Sequence, residues 1–284
     1  MATQWQLVHR AAGILESAGV PSSRLEAEVL LAHLLEVDRL ELYKHPHQSI
    51  GKEKVNAYRQ VIDWRVRGVP TAYLRQKKEF FSRTFQVGPG VLIPRAETEL
   101  LVEEGLRILQ NIKTPRILDL GTGSGAIVIS LLAELPNARG VGSDISEEAL
   151  QYASKNAQML KVNQRLELLQ GQLFLPIAEH EPFDLVISNP PYIRTNEIPP
   201  DLRFEPREAF DGGTDGLRFY RDILKQAYSL MKPNAALILE TGDFAQEELD
   251  RELENHAENY SEPRYQNDLA GKLRVMILQR KLPE

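Results

Sequence analysis

The chain has 284 residues, of which 42% are hydrophobic and 26% charged, and it contains no cysteine. This is the composition of an ordinary globular protein with room for about two domains, and it excludes collagen-like, disordered and disulfide-scaffold classes. The lack of cysteine also excludes thiolate metal ligands and cysteine nucleophiles. No apolar run is long enough for a membrane span, and the first residues do not resemble a signal peptide, so we expect a cytoplasmic protein without membrane contacts.

The net charge is −6, from 34 basic and 40 acidic residues, and it is unevenly distributed. Residues 1–75 carry ten Lys/Arg and eight Asp/Glu, which leaves 24 and 32 in the remainder. The first part is therefore close to neutral and the second part is acidic. A chain that binds nucleic acid over a wide surface usually has a basic footprint, which is missing here.

Residues 1–75 have the apolar spacing of short amphipathic helices and are predicted to form a small helical domain. Ser23 and Glu26 have the spacing of a capping box at the start of the second helix. Such a bundle is either a packing unit or a partner-recognition module. A β-hairpin linker is predicted over residues 76–93, and a second domain over residues 94–284.

From Pro115 onward, predicted strands and helices alternate. The strands are expected over residues 116–120, 140–144, 166–170, 183–189, 235–241 and 273–280, and the helices over 126–135, 147–160, 217–231 and 244–256. This alternation predicts an α/β fold, with a mostly parallel, doubly wound sheet.

The first of these strands leads directly into a glycine-rich loop, Gly121-Thr122-Gly123-Ser124-Gly125. Such glycines let the backbone turn tightly and approach a ligand at a helix N-terminus. The spacing is G-x-G-x-G and not the G-x-G-x-x-G of dinucleotide binders. Asp119 precedes the loop, and Asp144 ends the next strand, where a carboxylate can accept hydrogen bonds from both ribose hydroxyls. This combination resembles the Rossmann-like methyltransferases that use S-adenosylmethionine, and there Asp119 would suit the amino group of the methionine moiety.

A second motif, Asn189-Pro190-Pro191-Tyr192, follows a strand with a buried pattern. Two prolines make the loop rigid, and it lies at the carboxyl end of a strand, where open α/β sheets bind their ligands. The side-chain oxygen of Asn189 and the carbonyl of Pro190 can both accept hydrogen bonds from one planar NH2 group. The ring of Tyr192 offers a flat face for an amide or a base. Methyl transfer to an amide or exocyclic amine nitrogen needs this arrangement, because the nitrogen lone pair is delocalised and must be directed at the methyl group.

Further segments narrow the resemblance to one family. They are Ile93-Pro94-Arg95-Ala96-Glu97-Thr98-Glu99, Arg203-Phe204-Glu205-Pro206, Asp215-Gly216-Leu217 and Asn267-Asp268-Leu269-Ala270-Gly271-Lys272. With the N-terminal helices, they resemble the HemK/PrmC family, the peptide chain release factor glutamine methyltransferases, over nearly the whole chain.

The resemblance implies a Rossmann-like class I methyltransferase sheet over residues 94–284 and methylation of the glutamine in the Gly-Gly-Gln motif of class 1 release factors, without a metal. Asn189, Pro190 and Tyr192 would be catalytic, and with Pro191 they would bind the substrate. S-adenosylmethionine, and S-adenosylhomocysteine as product, would be bound by Asp119, Gly121, Thr122, Gly123, Ser124, Gly125, Asp144, Ile145, Gln172, Leu173 and Asn189.

The chain departs from the family pattern at a few positions. Gln172-Leu173 stands where the family commonly has an acidic and a bulky residue near the adenine, and Gln172 can still accept from the adenine amino group through Oε1. Ala96 replaces a proline, Gln76 a glycine, and Asp243-Phe244 alters the segment after Gly242. None of these touches the Asn-Pro-Pro-Tyr loop.

Three alternatives remain open at this point. A glutamine methyltransferase of a ribosomal protein would have the same chemistry. A DNA adenine-N6 methyltransferase would share both motifs but normally adds a basic recognition region, so direct DNA binding is not expected. A non-catalytic module of the translation machinery would require an inert Asn-Pro-Pro-Tyr loop. The six histidines show no metal-ligand spacing.

Overall fold

The computed structural model of the chain describes residues 2–177, 179–242, 244 and 246–282, and it divides into two compact units between Lys77 and Lys78. The predicted departure at Asp243 lies outside the described residues. Within the part of the chain that the structure describes, no helix is long and apolar enough to cross a membrane.

The first unit is helical. It contains a short antiparallel pair of strands, β1 (Ala2–Thr3) and β2 (Ser49–Ile50), and the helices α1 (Gln4–Ser17), α2 (Ser23–Leu35), α3 (Arg39–Lys44), α4 (Lys52–Val66) and α5 (Thr71–Arg75). The core is formed by the apolar faces of α1, α2 and α4, with Leu15, Leu30 and Leu31 almost fully buried. The hydroxyl of the buried Tyr58 donates to the Ala27 carbonyl at 2.8 Å, which ties α4 to α2.

The capping of these helices differs from the prediction. The capping box occurs at α1, where Thr3 and Gln6 bond reciprocally. The predicted box at Ser23 is wrong: Ser22 is the N-cap of α2, in a left-handed conformation, and makes no side-chain cap bond. With Ser22 as the N-cap, the N3 position is Leu25, and Glu26 instead binds Arg65 at 2.9 Å and also Thr71.

A two-stranded hairpin follows, with strands β3 (Lys77–Phe80) and β4 (Arg83–Gln86). Its tip is Phe81-Ser82, both with positive φ, and Phe80 and Phe85 pack against each other in the core. The predicted extension to residue 93 is not strand. Gln76, which replaces a family glycine, ends α5 at φ +56°, a conformation that glycine adopts most easily.

The second unit contains a seven-stranded sheet. Its strands are β5 (Arg116–Leu120), β6 (Arg139–Asp144), β7 (Leu166–Gln170), β8 (Phe183–Ser188), β9 (Met231–Glu240), β10 (Arg264–Asn267) and β11 (Leu273–Gln279). The flanking helices are α6 (Glu99–Leu109), α7 (Ala126–Glu134), α8 (Glu147–Met159), α9 (Arg218–Leu230) and α10 (Gln246–Glu254). The strand order is β10-β11-β9-β8-β5-β6-β7, in which the β10–β11 and β11–β9 pairs are antiparallel and the other four neighbouring pairs are parallel. The predicted mostly parallel, doubly wound sheet is confirmed.

Both faces of the sheet are buried, because successive side chains of a strand point to opposite sides. Leu118 and Val186 belong to the core on one face, and their neighbours Ile117 and Leu185 to the core on the other. The chain runs from β5 outward to β6 and β7 and then returns to β8 on the other side of β5. This reversal makes the carboxyl ends of β5 and β8 the topological switch point, where sheets of this kind bind ligands.

Candidate active site

A cavity of about 630 Å³ opens at the carboxyl ends of β5, β6 and β8, and its volume suits a medium-sized ligand. It brings most of the predicted site residues together. Those that line it are Gly121, Thr122, Gly123, Ser124, Asp144, Ile145, Gln172, Leu173, Asn189, Pro190 and Pro191. Three others, Asp119, Gly125 and Tyr192, are not part of its lining.

The glycine-rich loop forms one wall of the cavity in a conformation that needs glycine. Gly121, Gly123 and Gly125 have φ of +69°, +56° and +80°. A side chain at Gly125 would also lie 2.5 Å from Cδ1 of Ile129, so the loop is packed directly onto α7. The amides of Gly121 and Thr122 both donate to the Ser143 carbonyl, at 2.8 and 2.9 Å. The backbone of the loop is thereby fixed before any ligand arrives.

Asp119 lies beneath this loop. Its carboxylate is fully buried and accepts from the Thr122 hydroxyl at 2.7 Å and from the Val128 amide at 3.3 Å. Burial raises the pKa of Asp119 to about 7, while these two hydrogen bonds lower it. Its buried Oδ1 has no hydrogen-bond partner in the described part of the chain, and direct binding of a cofactor amino group by Asp119 stays a prediction. Its carboxylate reaches the cavity through the hydroxyl of Thr122 and braces the loop.

Asp144 ends β6 at the cavity and holds two backbone groups. Oδ2 accepts from the Gly123 amide at 2.8 Å and Oδ1 from the Ser146 amide at 2.9 Å. Because each carboxylate oxygen has two lone pairs, both retain one acceptor position for further donors. Burial raises the pKa of this carboxyl, and the backbone hydrogen bonds oppose that shift. The geometry suits a pair of neighbouring hydroxyls, as predicted for a ribose.

Asn156 supports the same wall, although nothing in the sequence singled it out. This fully buried residue of α8 donates through Nδ2 to the carbonyls of Gln86 at 3.0 Å and Ser124 at 2.9 Å. Its Oδ1 accepts from the Gln86 amide at 2.7 Å. One amide group therefore joins the hairpin strand β4 to the glycine-rich loop.

The Asn-Pro-Pro-Tyr loop begins where β8 ends, beside the glycine-rich loop. The Ser188 hydroxyl donates to the Leu120 carbonyl at 2.7 Å and joins the ends of the two strands. Asn189 is half-buried at the cavity, and its Nδ2 donates to the Thr98 hydroxyl at 3.2 Å. Its Oδ1 therefore points away from Thr98, as an acceptor group that borders the cavity.

Tyr192 supports the loop and does not face the cavity. Its hydroxyl donates to Oε1 of the buried Glu240 at 3.2 Å, and burial raises the pKa of this phenol. Gly242 lies against the ring, since a side chain there would approach it to 2.6 Å. Gly212 and Gly216 lie close to the loop backbone, where a side chain would come within 2.8 and 2.5 Å of it. These contacts hold the ring of Tyr192 in place, and its stacking on a substrate amide stays a prediction.

Arg95, which lines the cavity, forms an ion pair with the buried Glu205. Glu205 accepts from the Arg95 guanidinium at 2.6 Å and from the Ile93 amide at 2.9 Å. Its side chain is only 4% exposed. The segment with the Pro94-Arg95 signature and the segment with the Glu205-Pro206 signature thus meet, which explains why two motifs far apart in sequence accompany each other in this fold.

Comparison with known proteins gives matches to both units. The model of a methyltransferase domain matches residues 113–281, and that of a PrmC N-terminal domain matches residues 6–75. The release factor glutamine methyltransferase of Moorella thermoacetica is 39% identical, with 97% of this chain and 98% of the relative covered. The corresponding protein of Geobacter sulfurreducens is 40% identical over 81% of each chain.

Solved structures agree on the fold. A 16S rRNA guanine methyltransferase of Thermus thermophilus, solved with S-adenosylmethionine and guanosine, aligns with a TM-score of 0.54 and 18% identity. The alignment covers 72% of this chain and 50% of that one. At this identity the likeness concerns the fold of the methyltransferase unit alone.

Proposed function

Because the chain belongs to the family of release factor glutamine methyltransferases, we propose that it transfers a methyl group to the side-chain amide nitrogen of the glutamine in the Gly-Gly-Gln motif of class 1 peptide chain release factors. The observation that carries the proposal is the side-chain amide of Asn189, held at the cavity with its oxygen directed away from Thr98. An acceptor in this place, beside the carbonyl of Pro190, matches a primary amide that has two N–H donors.

The methyl donor is proposed to be S-adenosylmethionine, and S-adenosylhomocysteine the product. The residues present fit this cofactor. The three glycines with positive φ leave the loop backbone uncovered at their positions, and Asp144 retains acceptor positions for the ribose hydroxyls. Ile145, which is 59% exposed at the cavity, and the neighbouring Gln172 and Leu173 would border the adenine. When bound, the cofactor supplies an electrophilic methyl group on a sulfonium.

The protein's own contribution is orientation and electrostatic stabilisation. Asn189 Oδ1 and the Pro190 carbonyl would accept both N–H bonds of the substrate amide and so direct its nitrogen lone pair toward the methyl group. As the nitrogen becomes positive during transfer, these two dipoles stabilise the charge. The prolines keep the two acceptors at a fixed separation. No basic group has to act before the attack, and the extra proton leaves afterwards.

The partner would be a release factor, whose glutamine-bearing loop enters the cavity. The near-neutral N-terminal unit is proposed as the module that recognises it. On the same reasoning the reaction takes place in the cytoplasm, and it would modulate translation termination.

A competition assay tests this function. The purified enzyme, with labelled S-adenosylmethionine, is given a release factor, the same factor with its loop glutamine changed to alanine, ribosomal proteins and duplex DNA. We expect label only in the unaltered release factor. Label in a ribosomal protein or in DNA, with an unlabelled release factor, would contradict the proposal.

The role of Asn189 is tested in the same assay. Asn189→Ala removes one of the two proposed acceptors, so transfer should fall about tenfold to a hundredfold at saturating cofactor. Calorimetric titration should give a Kd for S-adenosylmethionine close to that of the wild type. A variant that no longer binds the cofactor would instead assign Asn189 to the cofactor subsite.

A further inference from the structure

A chain of hydrogen bonds links the two polar residues of the Asn-Pro-Pro-Tyr loop to one buried carboxylate. Asn189 donates to Thr98 at 3.2 Å, and the Thr98 hydroxyl donates to Oε2 of Glu240 at 2.6 Å. The Tyr192 hydroxyl donates to Oε1 of the same residue at 3.2 Å. Glu240 is 1% exposed and lies at the end of β9, next to the strand that ends in the loop.

The hydrogen bonds of Thr98 indicate that these linked bonds do more than cap a helix. Thr98 precedes α6 with helical φ and ψ, and the amides of the three residues after it already donate to backbone carbonyls. Its side chain makes no cap bond. The hydroxyl bonds Glu240 and Asn189 instead.

The number of protons available fixes the direction of each bond. An ionised carboxylate only accepts, so both hydroxyls must direct their hydrogens at Glu240. The single hydrogen of Thr98 is then used, and its remaining lone pairs can only accept. Asn189 must therefore present its NH2 to Thr98 and its oxygen to the other side.

We propose that Glu240, acting through Thr98, sets the amide orientation of Asn189, so that an acceptor and not a donor faces the substrate glutamine. Glu240 and Thr98 are positioning residues, since neither touches the reacting atoms. The inference rests on the proposed function. It adds Glu240, which none of the motifs contains, and gives a role in the reaction to Thr98 of the Ile93–Glu99 signature.

The surroundings of Glu240 make this orientation sensitive to pH. Burial raises the pKa of Glu240 to about 7, and the nearby charge of Glu97 also raises it. The hydrogen bonds from Thr98 and Tyr192 and the charge of Arg274 act in the opposite direction. From α9, the hydroxyl of Tyr220 donates to the main-chain oxygen of Glu240 at 2.5 Å.

Protonation of Oε2, the oxygen that faces Thr98, reverses the direction of the hydrogen bonds from Glu240 to Asn189. Glu240 then donates to Thr98, and the threonine hydrogen turns toward Asn189, which must offer its oxygen. The NH2 group of Asn189 would face the NH2 group of the substrate, and two donors repel each other. The competent form is therefore the ionised one, which prevails above the pKa and is lost as the pH falls through about 7.

The test compares Thr98→Val with Thr98→Ser in single-turnover methylation of a release factor at saturating cofactor and substrate. Valine keeps the shape and removes the hydroxyl, whereas serine keeps the hydroxyl. We expect Thr98→Val to slow transfer about tenfold or more. Thr98→Ser should retain most of the wild-type rate. The melting temperature and the Kd for S-adenosylmethionine show that each variant is folded.

The pH profile separates positioning from a merely structural role. The wild-type rate should rise between about pH 6 and pH 8. This rise should be absent in Thr98→Val and Glu240→Gln. If Thr98→Val transfers at the wild-type rate, or if its rate rises with pH as the wild-type rate does, the inference is overturned while the proposed function stands. A wild-type enzyme that does not methylate the factor would overturn both.

A readout without substrate decides the case even where a variant is unstable. In protein labelled with 15N-asparagine, the side-chain amide signal of Asn189 is assigned by its loss in Asn189→Asp. That signal should shift with a midpoint near pH 7 in the wild type. A signal that does not change over this range would contradict the coupling to Glu240.

Discussion

The cavity walls depend on single buried polar groups, and Asn156 is the clearest case. Its amide makes three hydrogen bonds, to Gln86 and Ser124, with no exposed surface. Asn156→Ala would leave the amide and carbonyl of Gln86 and the carbonyl of Ser124 without these partners. We expect a loss of about 2–4 kcal/mol in the free energy of unfolding, measured by urea denaturation.

The control for Asn156 is Gln158→Ala, an exposed position in the same helix, which should change stability little. Because Asn156 also holds the glycine-rich loop, its variant should bind S-adenosylmethionine more weakly. Equal stability of the two variants would show that the three hydrogen bonds make no net contribution to the free energy of unfolding.

Asp144 gives a second prediction for a single residue. Asp144→Ala removes the proposed ribose acceptors and the bond to the Gly123 amide. The Kd for S-adenosylmethionine should rise about tenfold to a hundredfold. Once the variant is saturated with cofactor, its transfer rate should approach that of the wild type. The control is Glu147→Ala, which removes an exposed carboxylate at the first residue of α8 and should leave the Kd for S-adenosylmethionine unchanged. A large loss of rate at saturation would count against a ribose-binding role.

Local sequence patterns identified the residues that line the cavity, because both motifs are continuous in sequence and end on neighbouring strands. The patterns did not reveal the partners that hold these motifs. Glu240 is the last residue of an ordinary buried strand, and Asn156 lies in an ordinary helix. Their roles arise from contacts between residues far apart in sequence. Thr98 and Glu240 are 142 positions apart, and Gln86 and Asn156 are 70 positions apart, so no local pattern includes both partners. The positions of Asp119 and Tyr192 outside the cavity lining could not be predicted for the same reason, since long-range packing decides which side chains are buried.

At the scale of single elements, helix α1 allows a matched pair of substitutions. Gly13 and Gly19 are both exposed, and a side chain at either would meet nothing within 4 Å. Gly13 lies inside the helix, whereas Gly19 follows its end with φ +75°. Gly13→Ala should therefore stabilise the N-terminal unit by about 0.5–1 kcal/mol.

Gly19→Ala should destabilise the same unit by about 1–2 kcal/mol, because alanine is strained at positive φ. Thermal melting of the two variants checks the pair. Two shifts of the same sign would contradict the backbone argument, since the two sites differ in conformation and not in packing.

Most elements were predictable because their apolar spacing is regular. The helix α6 was not among the predicted helices, although its buried residues, such as Leu101, Val102 and Leu109, repeat at helical spacing. The strand β10 was not predicted for a different reason. Its sequence Arg264–Asn267 is short and polar, and only pairing with β11 makes it a strand.

For the whole molecule, composition predicted two units and excluded several classes but selected no chemistry. The acidic excess falls in the unit that is proposed to hold a cationic cofactor, and the N-terminal unit is near neutral. The lack of cysteine is in keeping with a transfer that goes directly from the sulfonium to the amide nitrogen. The strand order, with its reversal between β5 and β8, then explains why the two motifs meet.

The central claim is the identity of the methylated atom, and peptide mapping tests it most directly. A release factor is incubated with the enzyme and S-adenosylmethionine, digested, and fragmented in a mass spectrometer. The account predicts the mass of one added methyl group on the glutamine of the Gly-Gly-Gln motif, and a gain about tenfold to a hundredfold smaller with Asn189→Ala under conditions of limited turnover. A methyl group on any other residue, or an unmodified factor, would contradict it.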